Sequence, residues 1–264
     1  MQAFRLLYML FPGLLLLGWV MWSDSLPCVG VLLLMLPVLA LIVLNMLEVA
    51  LLRRRALVGM YLEGESWLSR LMCRKAVLFL WQVTKATVLV FILFVEALDW
   101  PPWFWLLLLL DIPVLFFTSH WLEQSLQGQV KAGAQGIIAR RLLVTVNTLI
   151  LALLLAGGWM FEPQTDYRDM SWQATAVYAA QQEQLHCELL APLARTKAVQ
   201  QALVERLVRQ GLEMLTNTWG KLAGWLLFFF WSGLSLWAWS RMLLAPLIQK
   251  VDLDRLMHKG CYLG

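Results

Sequence analysis

The chain has 264 residues, of which 61% are hydrophobic and only 14% charged, with a formal net charge of +4. Ordinary soluble domains hold roughly 45–50% apolar and about 25% charged residues, so a water-soluble core is excluded as the destination of these side chains. The basic residues are scattered between apolar runs instead of forming one basic patch with interleaved aromatics, which argues against nucleic acid as a partner.

A hydrocarbon layer of about 30 Å takes about 20 helical residues to cross. Six segments satisfy that length: 5–22, 28–52, 76–98, 103–121, 142–161 and 222–245. The expected fold is all-α, a polytopic membrane protein of six transmembrane helices with an external amphipathic helical hairpin between helices five and six. Residues 1–161 form a five-helix transmembrane region with a cytoplasmic interfacial segment at 53–75. Residues 162–220 form the external, periplasmic hairpin, and 221–264 the sixth helix and a cytoplasmic tail.

The first span follows Arg5 and lacks a small-x-small cleavage pattern after it, so it reads as a retained signal anchor. Pro27 stands just before Cys28 and spoils a lipoprotein processing site. The second span carries Asn45 and Glu48 and ends at Arg53, Arg54 and Arg55. These arginines, with Arg74 and Lys75, are expected to hold the intervening segment against anionic lipid at the membrane surface.

Gln82 and Lys85 lie in span three, Asp111 and Pro113 in span four. Trp100, Trp103 and Trp105 surround the turn at Pro101 and Pro102, and the two spans are expected to form a tight hairpin. Counting inward from that turn at about 1.5 Å per residue puts Lys85 about 21 Å deep and Asp111 about 14 Å. Across such a hairpin the two form either a structural ion pair or an ion-coupling site. Glu48 is expected to bridge to the arginines that begin at Arg53, and Asn147 in span five to act as interhelical glue. Gly157, Gly158 and Gly233 read as sites of close helix packing.

The outer loops Ser23–Pro27 and Asp99–Pro102 hold no lysine or arginine, whereas Lys131, Arg140, Arg141, Arg241 and Lys250 fall on the other side. Both termini are therefore expected in the cytoplasm of a cell with an inner membrane, most simply a bacterium. Within 162–220, one helical stretch runs from Trp172 to a break at Pro192. A second carries Val204, Val208, Leu212 and Leu215 on one stripe, the expected partner-binding face.

On this topology Cys28 and Cys187 are external while Cys73 and Cys261 are cytoplasmic. The external pair alone is placed to form a disulfide, and the sequence gives no further reason to join it, so the expectation is free thiols. Glu183 and His186 share a helical face but supply too few ligands, so no metal is assigned. His120 and His258 cannot face each other across a bilayer as a haem requires. No phosphate loop, nucleophile elbow or dinucleotide turn is present, so no cofactor is assigned and an enzyme is disfavoured.

These features lead to the expectation of a non-enzymatic inner-membrane component of a multiprotein envelope assembly for secretion, conjugation or cell-envelope construction. Its partners are membrane lipid and other envelope proteins. The alternative is a small ion- or proton-coupled transporter or channel that uses Asp111 and Lys85.

Overall fold

A computed structural model describes residues 2–23, 25–61, 75–130, 135–159, 170–182, 187–188, 190–214 and 232–248. Within these ranges the side chains of 2–5, 55–61, 75, 159, 204–205 and 207–214 are not described. The helices are α1 (Gln2–Trp22), α2 (Cys28–Tyr61), α3 (Lys75–Ala97), α4 (Pro102–Ser125), α5 (Gln135–Trp159), α6 (Trp172–Gln182) and α7 (Ala191–Met214). An eighth, α8, covers 232–244 and runs into a short 3-10 turn, Ala245–Leu247. No strand occurs among the described residues.

Four of these helices are long and apolar enough to cross a membrane, over Cys28–Arg54, Ala76–Ala97, Pro102–Ser125 and Gln135–Gly158. The apolar part of α1, Leu6–Trp22, is shorter. Leu33, Leu80, Leu106, Leu110, Phe117 and Leu153 are all more than half exposed on the outside of the bundle. A soluble protein does not cover itself in this way; an outer surface as apolar as the interior suits lipid.

Inside, α1 is the wedge. It touches both α3 and α4, while α3 packs on α2, and α4 on α5. Trp19 of α1 is fully buried and donates its indole N–H to the carbonyl of Phe94 at 3.1 Å, against whose ring it also lies. Gly13 brings α1 close to α4 and α8: a Cβ there would stand 3.0 Å from Ile112 and 3.3 Å from Trp239. Tryptophan 100, in the α3–α4 turn, meets the rings of Phe104, Trp105 and Trp239. The turn itself is as short as the two prolines imply, with Pro102 in the first turn of α4, where its missing N–H costs nothing.

Several expectations change here. Spans three and four share a tight turn but are not a packed hairpin, because α1 inserts against both. The second helix does not stop at residue 52: α2 continues through the three arginines to Tyr61. Arginine is a good helix former and nothing between Leu47 and Leu57 breaks the pattern, so at about 1.5 Å per residue α2 outruns a 30 Å hydrocarbon layer. Residues 62–74, with Arg74, lie outside the described residues. The fifth helix begins at Gln135, not 142, and takes Arg140 and Arg141 into its first turns. Close packing holds at Gly158, where a Cβ would run into the Trp103 ring, whereas Gly157 and Gly233 meet nothing within 4 Å among the described residues.

The helices α6 and α7 pack on each other through Ala179 and Ala202. Arg206 donates to the Thr175 hydroxyl at 3.2 Å and lies over the Trp172 ring. Pro192 does not break a helix; it sits in the first turn of α7, a position open to proline.

Candidate functional site

Successive residues of an α-helix project about 100° apart, so three in a row point at different neighbours. In α8 the triplet Trp239, Ser240 and Arg241 uses that property. The Trp239 indole N–H reaches Asp111 Oδ2 on α4 at 3.4 Å, a long contact. Ser240 Oγ lies 3.1 Å from Asn147 Nδ2 on α5, which donates to it. Arg241 donates to Asn45 Oδ1 on α2 at 2.9 Å and stacks over Trp237. One helix thus ties three others together through side chains that are all buried.

Asp111 and Asn147 meet within this knot, Asn147 Nδ2 donating to Asp111 Oδ2 at 3.0 Å. One amide nitrogen therefore serves two acceptors on two helices. Asn147 thus bridges α4 and α8, and the Trp239–Ser240 pair is the part that sequence reading missed. Its signal was a hydroxyl and an indole consecutive in an apolar run, which is weak because both residue types also occur in membrane helices without a polar partner.

Lys85 is not part of the knot. It stands on the exposed face of α3 with its ammonium 4.7 Å from the centre of the Trp81 ring, so the expected Lys85–Asp111 pair does not form. The two helices share a turn but do not pack on each other. Gln82, one turn away, is buried and lines the same side of the bundle as Lys85.

Glu48 bridges to Arg140 of α5, a partner that proximity along the chain does not suggest. The guanidinium grips the carboxylate with two nitrogens, Nη2 on Oε1 and Nε on Oε2, the latter at 3.2 Å. Both side chains are almost fully buried. Arg140 also approaches Glu123 of α4 at 3.6 Å and the Leu247 carbonyl at 3.4 Å. A forked, two-nitrogen contact is the geometry arginine is built for, and a buried charge needs it. Of the expected membrane-surface group, Arg53 is exposed and Arg54 is buried, while Arg55 and Lys75 have side chains outside the description.

At the opposite end of the helices, α7 is fastened to the bundle. The ammonium of Lys197 lies 2.6 Å from Asp99, 3.5 Å from Glu96 and 3.1 Å from the Val95 carbonyl. That carbonyl belongs to the last turn of α3, where helix carbonyls lack intrahelical donors and the dipole favours a cation. Leu190 and Ala194 join the main apolar core beside it. Cys28 and Cys187 are joined as a disulfide with their Cα atoms 4.8 Å apart, contrary to the expectation of free thiols. Cys28 is the first residue of α2, so the bond clamps the segment before α7 to the start of that helix.

The stripe expected to bind partners falls on α7, but the side chains of Val204, Val208 and Leu212, and Leu215 entirely, lie outside the described residues. The same holds for Glu183 and His186.

If the Asp111 knot is structural, Asp111→Asn is expected to leave the unfolding midpoint nearly unchanged, since an amide oxygen still accepts from Asn147. Asp111→Leu strands the donors and is expected to cost about 1–3 kcal/mol. Denaturant titration of the two variants in detergent checks this; equal losses from both would overturn it.

Comparison of the chain with protein-family models, curated proteins and solved structures found no match.

Proposed function

We propose that this chain is a non-enzymatic scaffold of the bacterial inner membrane, one component of a multiprotein envelope assembly, with six spans, both termini in the cytoplasm and the α6–α7 pair outside. The observation that carries the reading is the three-part attachment of α7: the Cys28–Cys187 bond, the Lys197 contacts and the Leu190–Ala194 packing. Such attachment gives an external helical pair a fixed pose on the membrane, which is what a docking platform needs.

Charge and redox chemistry support the same orientation. Disulfides persist in oxidising compartments, so the Cys28–Cys187 end belongs outside. Arg53, Arg140 and Arg141 lie towards the other ends of the membrane helices, the side on which basic residues are retained. The interior polar groups hold helices to one another, as a scaffold requires, and Asp111 and Lys85 stand apart, which takes away the pair on which a transport route rested.

Val177, Tyr178 and Leu193 are exposed apolar side chains on the α6–α7 pair. On a surface outside lipid, such residues serve partner contacts. Val177→Asp combined with Leu193→Asp is expected to remove stoichiometric partners from a mild-detergent purification while insertion and the disulfide persist. Recovery of the same partners at unchanged stoichiometry would show that this face is not where they dock.

A further inference from the structure

A groove of about 710 Å³ runs along the outside of the bundle between the second half of α2, the stretch of α3 from Val77 to Ile92, and α8. Among the described residues its lining includes four cationic side chains, Arg53, Arg54, Lys85 and Arg241, and no carboxylate. Every other described lining residue except Gln82 and Thr84 is apolar or aromatic. Arg241, although 92% buried, has no hydrogen-bond partner at its Nε among the described residues.

The cations are gathered at one end. Arg53 and Arg54 close the membrane stretch of α2, and Lys85 leans on Trp81, one helical turn nearer that end. A lysine within the span Ala76–Ala97 that turns its ammonium towards Trp81 points its head at the bilayer interface, where tryptophan and lysine heads sit. Deeper in, the walls are Met46, Val88, Ile92 and Leu234. A cationic mouth above an apolar trough matches a phosphate above acyl chains, and arginine binds phosphate through paired N–H donors.

We propose that this groove is a binding site for one anionic phospholipid, its phosphodiester held among Arg53, Lys85 and Arg241 and an acyl chain lying along α3. This goes beyond the general attraction of a basic loop to an anionic surface, because it requires a fixed stoichiometry and a filled trough.

The test is native mass spectrometry of the full chain in detergent, titrated with dioleoyl phosphatidylglycerol or dioleoyl phosphatidylcholine. One phosphatidylglycerol is expected to stay bound at activation energies that strip phosphatidylcholine. Each lysine or arginine near an anionic lipid contributes about a fivefold factor, so the double variant Arg53→Gln, Lys85→Gln is expected to weaken binding by about 25-fold. Both residues are exposed and leave the interior contacts intact. Val88→Trp keeps every charge but fills the trough, and is expected to abolish the adduct. Equal retention of the two lipids, an adduct that survives either variant, or full displacement by sn-glycerol 3-phosphate at matched concentration would overturn the proposal: the first two indicate annular lipid only, the last a free-phosphate site.

Discussion

Glu48→Leu is expected to destabilise the bundle by about 3–5 kcal/mol, because it removes one partner of a buried ion pair and leaves the other charged. Arg140 retains the Leu247 carbonyl and the 3.6 Å approach to Glu123, so the loss falls short of an isolated guanidinium in lipid. The informative comparison is the double variant Glu48→Leu, Arg140→Met. Replacing both charges with apolar groups removes the stranded ion, and is expected to recover most of the loss. Denaturant titration in micelles, read alongside the amount of inserted protein, measures both. A single variant within about 1 kcal/mol of the parent, or a double variant no better than the single, would mean that the contact does not hold α2 to α5.

The same pair shows what sequence could and could not supply. Glu48 had three arginines within seven residues along its own helix, and proximity along the chain favoured them. Arg140 lies 92 residues away, beyond the reach of any argument from proximity, and pairs with Glu48 because α5 starts at Gln135, early enough to bring Arg140 level with it. Helices themselves were legible: a backbone in hydrocarbon must satisfy its own N–H and C=O groups, so a long apolar run becomes a helix. The predicted spans 76–98 and 103–121 accordingly appear as Lys75–Ala97 and Pro102–Ser125.

Which face of each helix turns inward was not legible. In a soluble protein an apolar stripe marks the core, but here Leu108 is fully buried and Leu110, two residues on, is 63% exposed. Leucine suits lipid and interior alike, so hydropathy carries no azimuthal information. The Lys85–Asp111 expectation failed on that point: depth follows from residue counting, rotation and neighbourhood do not. The central place of α8 was hidden for the same reason, since only the buried contacts of Trp239, Ser240 and Arg241 reveal it.

The disulfide was half legible, since topology put Cys28 and Cys187 on one side, but only the folded chain brings them together across a separation of 159 residues. Its loss is expected to be the largest effect on the α6–α7 pair. On the loop-entropy account a crosslink over this many residues approaches 5 kcal/mol, against a typical range of about 2–4 kcal/mol. Membrane helices stay inserted in the unfolded reference state, which already shortens the free loop, so the lower range is expected here. Cys28→Ser, Cys187→Ser and the double variant should therefore lose the same amount, because either change removes the one bond. Lys197 supplies a local readout, being buried against Glu96 and Asp99. In nanodiscs, a membrane-impermeant amine reagent is expected to label it slowly in the parent and several-fold faster in each variant, or after reduction. Unchanged labelling of Lys197 after complete reduction would mean that its carboxylate partners and the Leu190–Ala194 contact suffice to hold α7, leaving the covalent bond without a role in its pose.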